Sequence, residues 1–478
     1  MSYIDEVKKI VNSLGGSIIA ASDEIWGYSE LYFEEYKSSA ALAKYAADAG
    51  FFVQQGVCNM PTAFVAHWGT GKIKVGILAE YDALPALSQK AEIVCREPAQ
   101  GDTVSSPGHG CGHNCLGAGA LGAAIALKEY CQANPLDIQI YLFGCPAEEN
   151  GSGKMFMARE KLFDPMDFCI GWHPHPINEV SGTSTLACLS IKFAFHGISS
   201  HAASTPHLGR SALDACEVMN VGVNYLREHI IPEARVHYSY LDVGGKAPNV
   251  VQDFAATYYF VRAPKVSDAL EIADRVHNIA KGAALMTGTT VDITSLDGLC
   301  DFVPNRAFST AAAEVFAQVG ASSWTKQDTS LALKYTATFD GAQIAHDKEK
   351  LCKINNLSVE NCGDLVLDSY VSPYHHQPEK VDFGSTDVGD VSYCTPTAQI
   401  YVATCALGTQ SHSWQMTGQG KTSISQKGTL TAAAVIAATA IKVASDSELL
   451  QQIKKEHAKN VPCGYICPAP ADLKPTIS

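Results

Sequence analysis

The sequence has no run of basic residues, and its 35 Lys and Arg against 49 Asp and Glu give a formal charge of −14. Electrostatic attraction to nucleic acid or to anionic lipid therefore has no source in it. Small-molecule chemistry is the better expectation. A secretory start is missing as well: MSYIDEVKKIVNSLGG (1–16) carries acidic residues where such a signal needs a basic end, and it has no continuous apolar core. The reading is a cytoplasmic protein. No clean membrane span stands out, because the most apolar stretch, TLTAAAVIAATAIKVA (429–444), is alanine-rich and broken by threonines, which suits a packed helix. The sixteen cysteines are scattered through the chain, so a reducing compartment is expected to keep them as thiols, mostly as small core residues. Repeats of fixed period are absent, and the one biased tract, VPCGYICPAPADLKP (461–475), is expected on the surface.

What is present is length and an ordinary globular composition. With 478 residues, 46% hydrophobic and 18% charged, the chain can bury a large interior and should divide into two or three domains. Residues 72–80 (KIKVGILAE), 137–144 (DIQIYLFG), 167–171 (DFCIG) and 397–406 (TAQIYVATCA) read as strands, separated by helical segments such as GAGALGAAIALKEYC (117–131). This alternation predicts an α/β domain with a largely buried sheet. From 189 to 295 the order changes to strand, helix, strand, strand, helix, strand, which is the ferredoxin-like βαββαβ order. The α/β pattern resumes after about 300. We therefore expect a discontinuous catalytic domain (1–186 and 301–478) with an inserted unit at 187–300.

Each outer strand is followed closely by side chains able to bind a cation. Glu80 and Asp82 follow the first, Glu148 and Glu149 the second, His173 and His175 the third, and His412 the fourth. Ligands in open α/β sheets bind outside the carboxyl ends of the strands, so these scattered residues should converge. Cys111 and His113, on the glycine-rich turn GHGCGHNCLG (108–117), should reach the same rim. Taken singly, that turn, the Glu-Glu doublet, the His-Pro-His segment and His412 are unremarkable; the joint placement carries the metal reading. Cys111 and Cys115 lack the CxxC spacing of a redox pair. Thiolate, imidazole and carboxylate together suit two divalent ions, with zinc, manganese or cobalt open. Such ions acidify bound water and steady an oxyanion, and a neighbouring carboxylate must then move the proton. The Glu148-Glu149 doublet can divide these tasks.

The motifs AEYDALP (79–85), GHGCGHN (108–114), PAEENGSG (146–153), GWHPHP (171–176), SSHAASTPHLGRSALDA (199–215) and QSHSW (410–414) resemble the metal-dependent aminoacylase and carboxypeptidase family. Within it the chain is most similar to the amidohydrolase branch and its aminobenzoyl-glutamate group, with GGKAPNVVQDFAATYYFVRAP (244–264) and FGSTDVGDVSY (383–393) strengthening that match. The resemblance implies a two-metal catalytic domain and an inserted lid that commonly dimerises, giving a homodimer or a heteromer with a related subunit. It implies Cys111, His113, Glu149, His173 and His412 as metal ligands, with His175 the alternative to His173, and Asp82 as a partner that orients a ligand. Glu148 would be the general base, His201 would stabilise the oxyanion, often in the partner subunit's site, and Asn249 and Arg262 would bind the substrate's carboxylate side. Asn114 departs from the usual Asp of CGHD, and Glu80 from the usual Asp or His. The expected activity is hydrolysis of an amide joining an acyl or aroyl group to an amino acid, aminobenzoyl-glutamate being the nearest precedent. Other amino-acid conjugates, dipeptides, or a non-catalytic subunit of a hydrolase complex are the alternatives.

Overall fold

The computed structural model describes residues 2–355, 357 and 365–475. The runs rich in β-branched and apolar residues become strands β1 (Phe52–Gln55), β2 (Phe64–Trp68), β3 (Ile73–Glu80), β4 (Ile138–Cys145), β5 (Phe168–His175), β6 (Glu179–Val180) and β13 (Thr397–Ala403). These form one sheet in the order β1-β2-β4-β3-β5-β13-β6. The four central strands are mutually parallel, and β1, β2 and β6 add antiparallel edges, so the sheet is mixed. Parallelism has a functional consequence: β3, β4, β5 and β13 all end on one edge.

The helices Tyr3–Tyr28, His113–Ala133 and Ser423–Ser445 pack together against this sheet. Close packing explains the alanine and glycine in the middle helix, since a Cβ at Gly122 would stand 2.5 Å from Ile18 Cδ1 and one at Gly119 would stand 2.7 Å from the Trp172 ring. Helix Ser423–Ser445 is long and apolar enough to cross a membrane by composition, yet Val435, Ile436 and their neighbours are buried in this core.

The inserted unit has its own sheet and core. Strands β8 (Ala187–His196), β9 (Arg235–Asp242), β10 (Phe254–Ala263) and β11 (Thr290–Leu299) form an antiparallel sheet in the order β11-β8-β10-β9. Helices Ala212–Leu226 and Val266–Thr287 cover it around Phe193, Met219, Tyr259 and Val276. The expected βαββαβ order is the observed one. Short strands β7 (Ser184–Thr185) and β12 (Val381–Asp382) pair in parallel beside it.

Four expectations change. Strand β5 runs on to His175 rather than stopping at 171, because β13 pairs with it up to Ala403 opposite His175. The two histidines thus stand in the strand's end, not after it. The last strand of the insert continues to Leu299, past a register shift between Ser295 and Asp297. The tail is not wholly on the surface: Tyr465 donates to Asp390 Oδ1 at 2.7 Å, Arg159 donates to Leu473 O at 2.9 Å, and Ala469 is buried. Among the cysteines, Cys352 departs from the thiol expectation and is disulfide-bonded.

Candidate metal and active site

The glycine-rich turn allows two distant segments to meet. Gly110 O accepts the His412 N–H at 2.7 Å, and a Cβ on Gly110 would meet Leu87 Cδ1 at 2.4 Å and His412 Cα at 3.3 Å. Gly112, with φ +82°, then turns the chain into the helix that begins at His113. His412 itself has φ +59°, as Ala147 has +60°, and uncommon backbone of this kind tends to gather at functional sites.

Side chains from these segments converge in three overlapping groups: Cys111 with His113 and His173, Cys111 with Glu149 and His412, and Glu80 with His113 and Glu148. Within each group the ligand atoms lie within 4.8 Å of one another. Cys111 Sγ is 3.2 Å from His173 Nε2, and His412 Nε2 is 3.2 Å from Glu149 Oε2. All five residues expected as ligands are therefore neighbours. His173 rather than His175 joins a group; Nδ1 of His175 faces the backbone of Ile177, although its side chain lines the same cleft.

The donor set suits divalent cations, and the polar atoms left over point the same way. Glu149 Oε1 is buried without a hydrogen-bond partner, and His113 Nε2 makes no hydrogen bond of good geometry although the Glu80 carboxylate stands 3.3 Å away, an arrangement that a shared cation would complete. Tautomers agree. Nδ1 of His113 lies 2.8 Å from Asp82 Oδ1, and Nδ1 of His173 lies 2.7 Å from Pro174 O, so each ring is engaged at Nδ1 and presents Nε2 to the cluster. Asp82 Oδ2 also accepts the Glu149 N–H at 2.9 Å, so one buried carboxylate fixes two of the segments.

The two adjacent glutamates diverge. Glu149 faces Cys111 and His412, whereas Glu148 faces Glu80 and His113. The left-handed Ala147 just before them has its N–H held by buried Glu35 at 2.8 Å. Burial pushes the Glu148 carboxyl well above its ordinary range, and the charges of Glu80, Glu149 and Asp387 push it further. Burial opposes a charged His113, but Cys111 and Asp82 outweigh it and hold its pKa well above the usual value. Burial, reinforced by His113, depresses His173 to about 4, which keeps its ring neutral. Burial raises the Cys111 thiol well above its ordinary pKa, so only a cation would favour the thiolate.

Reading the sequence did not reveal Lys154 and Asp387. Lys154 Nζ lies 2.6 Å from Glu80 Oε1 and 2.6 Å from Asp387 Oδ1, all wholly or nearly wholly buried. Their only signal was a lysine within an otherwise apolar turn, KMFMA (154–158).

The cluster opens into a cleft of about 410 Å³ whose opposite wall comes from the insert and includes Cys188, Ser190, Phe260, Arg262 and Asp297. Arg262 Nη1 donates to Ser385 Oγ at 3.1 Å, while its buried Nε has no partner. His201 and Asn249 do not join this cleft. They stand exposed on two neighbouring loops of the insert, beside each other, where Ala202 N donates to Asn249 O at 3.0 Å.

The model of the peptidase family M20/M25/M40 matches residues 76–413. The chain is 41% identical, over 95% of its length and 95% of the relative's, to one of the subunits of the p-aminobenzoyl-glutamate hydrolase of Escherichia coli K12. It is 27% identical to a mouse Xaa-Arg dipeptidase, over 91% of this chain and 88% of that one. Its fold matches the crystal structure of an aminobenzoyl-glutamate utilization protein from Klebsiella pneumoniae with a TM-score of 0.62 at 15% identity, covering 91% of this chain and 98% of that one. With that match over most of the sheet and the cleft, the chain belongs to peptidase family M20/M25/M40 and is a metal-dependent amidohydrolase.

Proposed function

We propose that the protein hydrolyses the amide bond between an acyl or aroyl group and an amino acid, with aminobenzoyl-glutamate as the first substrate to try. The observation that carries this is the divergence of Glu148 and Glu149 at a cluster of metal-type donors. The 41% identical hydrolase of aminobenzoyl-glutamate supports the substrate class.

Cys111, His113, Glu149, His173 and His412 would hold two divalent ions, zinc or manganese, with cobalt also suited to these donors. When bound, such ions supply Lewis acidity for a carbonyl and for water. Glu148 takes the proton of the attacking water and delivers it to the leaving nitrogen; its raised proton affinity suits a group that must carry a proton near neutral pH. Arg262, whose buried Nε is left without a partner, takes the substrate's carboxylate. Its partner in that task is Asn249, and His201 donates to the oxyanion.

Because His201 and Asn249 lie outside this chain's own cleft, they serve the cleft of a second subunit. The assembly is a homodimer through the insert, or a heteromer with a related chain. Exposed Tyr225, Leu285 and Met286 on the insert's helices support burial of this unit against a partner. The domain limits are 1–186 with 301–478 for the catalytic part and 187–300 for the lid, and the protein works in the cytoplasm.

Metal-reconstituted protein assayed against a panel of acyl-amino acids, aminobenzoyl-glutamate included, tests the reading. Cleavage of one member supports it. Failure to bind zinc, manganese or cobalt would favour a non-catalytic subunit instead.

A further inference from the structure

The insert presents a small, ordered face to the cleft. On β8, Cys188 and Ser190 are two residues apart and share a face, as do Phe260 and Arg262 on β10. Strand register places Arg262 and Leu299 opposite Cys188, and Phe260 and Asp297 opposite Ser190. All six line the cleft. The result is a two-row patch with a cation on one side strand, an anion on the other, and the two small side chains of β8 between them.

Arg262 and Asp297 cannot neutralise each other directly. Two interstrand spacings and a two-residue step along the strands, about 12 Å in all, separate their backbones, and Cys188 feels both charges from between. Asp297 Oδ1 accepts the adjacent Gly298 N–H at 2.6 Å, Ser152 stands beside it, and no basic side chain among the described residues bears on the carboxylate. Burial raises its proton affinity, so an unpaired charge here is disfavoured and a donor arriving with the ligand is rewarded. A carboxylate can only accept hydrogen bonds, so the complementary ligand group is a hydrogen-bond donor, and an amine, which can also carry a positive charge, answers the carboxylate's charge as well.

The geometry points to Asp297 as the residue that selects substrates bearing an amine on the acyl half. This rests on the amide-hydrolase reading above, in which Arg262 takes the carboxylate of the amino-acid half. A ligand anchored there and extending across Cys188 and Ser190 brings the far end of its acyl group to Asp297, with Phe260 and Leu299 as apolar flanks for a ring. A para-amino group on a benzoyl ring has the reach and the donor, as does the free amine of a short aminoacyl group. An acyl group without a donor would leave the Asp297 carboxylate desolvated with only the Gly298 N–H and Ser152 beside it and no counter-charge, and sites built to hydrogen-bond a substrate reject analogues that lack the group.

The test compares 4-aminobenzoyl-glutamate with benzoyl-glutamate, which share the scissile bond and the glutamate but differ in the amine. Both are assayed with zinc- or manganese-loaded wild type and Asp297→Ala. We expect kcat/KM of the wild type to favour the amine-bearing substrate about tenfold or more, and Asp297→Ala to bring that ratio near one by losing activity on this substrate alone, with metal content unchanged. If Asp297→Ala does not fold, Asp297→Asn, of the same shape but uncharged, should still narrow the ratio. Equal use of both substrates by the wild type overturns the role of Asp297 while leaving the amide hydrolase standing. So does an unchanged ratio in the variant, or an equal loss on both substrates. A wild type that binds metal but cleaves neither substrate overturns the benzoyl-glutamate reading and this inference with it.

Discussion

The carboxylate of Asp82 lies 2.8 Å from Nδ1 of His113, and both side chains are wholly buried. Burial works against the charged carboxyl, yet His113 outweighs it and holds the Asp82 pKa below the usual carboxylate range. This contact sets which nitrogen of His113 faces the cluster, and the other Asp82 oxygen fixes the backbone of Glu149. Replacing Asp82 by Ala should weaken zinc or manganese binding by about 10–100-fold, the usual cost of losing a partner that orients a ligand. Chelator competition measures it, and unchanged affinity would remove Asp82 from the metal-holding arrangement.

The two adjacent glutamates should separate cleanly under substitution. Glu148→Gln is expected to keep its metal and lose turnover by about 10²–10⁴-fold, the range for a general acid-base group. Glu149→Gln should instead lose metal, because its side chain stands among Cys111 and His412. Metal analysis beside steady-state kinetics distinguishes them; normal turnover by Glu148→Gln would refute its role.

Lys154 is the cation that makes the burial of Glu80 and Asp387 tolerable. Lys154→Met should cost about 3–5 kcal/mol near pH 7, as removal of one partner from a buried pair does. Asp387 is already raised to about 7 by burial, which Lys154 partly offsets. Without the lysine its pKa rises further, so the folded variant binds a proton that the unfolded chain releases. The deficit should therefore shrink as pH falls toward 5. Urea unfolding of both proteins at pH 5 and 7 reads this, and a deficit independent of pH would point to packing alone.

Asp328 gives the opposite pH signature, away from the cleft. Burial would raise its pKa, but Lys427, Ser423 and Thr325 more than compensate and hold it well below the ordinary value. It also closes a capping box on helix Lys326–Thr336, where its carboxylate accepts the Thr325 N–H. A depressed carboxyl contributes stability that is fully present above the unfolded pKa near 4 and is lost as pH falls through the folded value. Asp328→Asn should thus cost about 2 kcal/mol at pH 7, typical of a hydrogen bond to a charged group, and progressively less below pH 4. Urea midpoints across that range would show the two curves converging.

Much of the site could be read from the chain because its parts are local signals. The strands announced themselves by composition, and parallel strands must bring their carboxyl ends to one edge, so Glu80, Asp82, Glu148, Glu149 and His412 could be expected to meet. The βαββαβ order of the insert was legible for the same reason. Strand ends were not: β5 reaches His175 because β13 pairs with it that far, and such pairing is a contact between segments more than 200 residues apart.

His173 and His175 mark where sequence stops and packing begins. Alternation along a strand puts both on one face, so their spacing treats them alike; only the approach of Cys111 to 3.2 Å from His173, and of the Ile177 backbone to His175, separates them. Lys154 and Asp297 escaped for a related reason. A charged residue in a sequence is expected in water unless a partner is known, and theirs come from other strands, other segments or the ligand itself. Residue order by itself therefore determined which elements form and which chemistry they carry, since both follow from local periodicity and side-chain type. The tertiary structure alone decided which charges are buried together and which face the cleft, because desolvation and pairing depend on distances that no spacing along the chain contains.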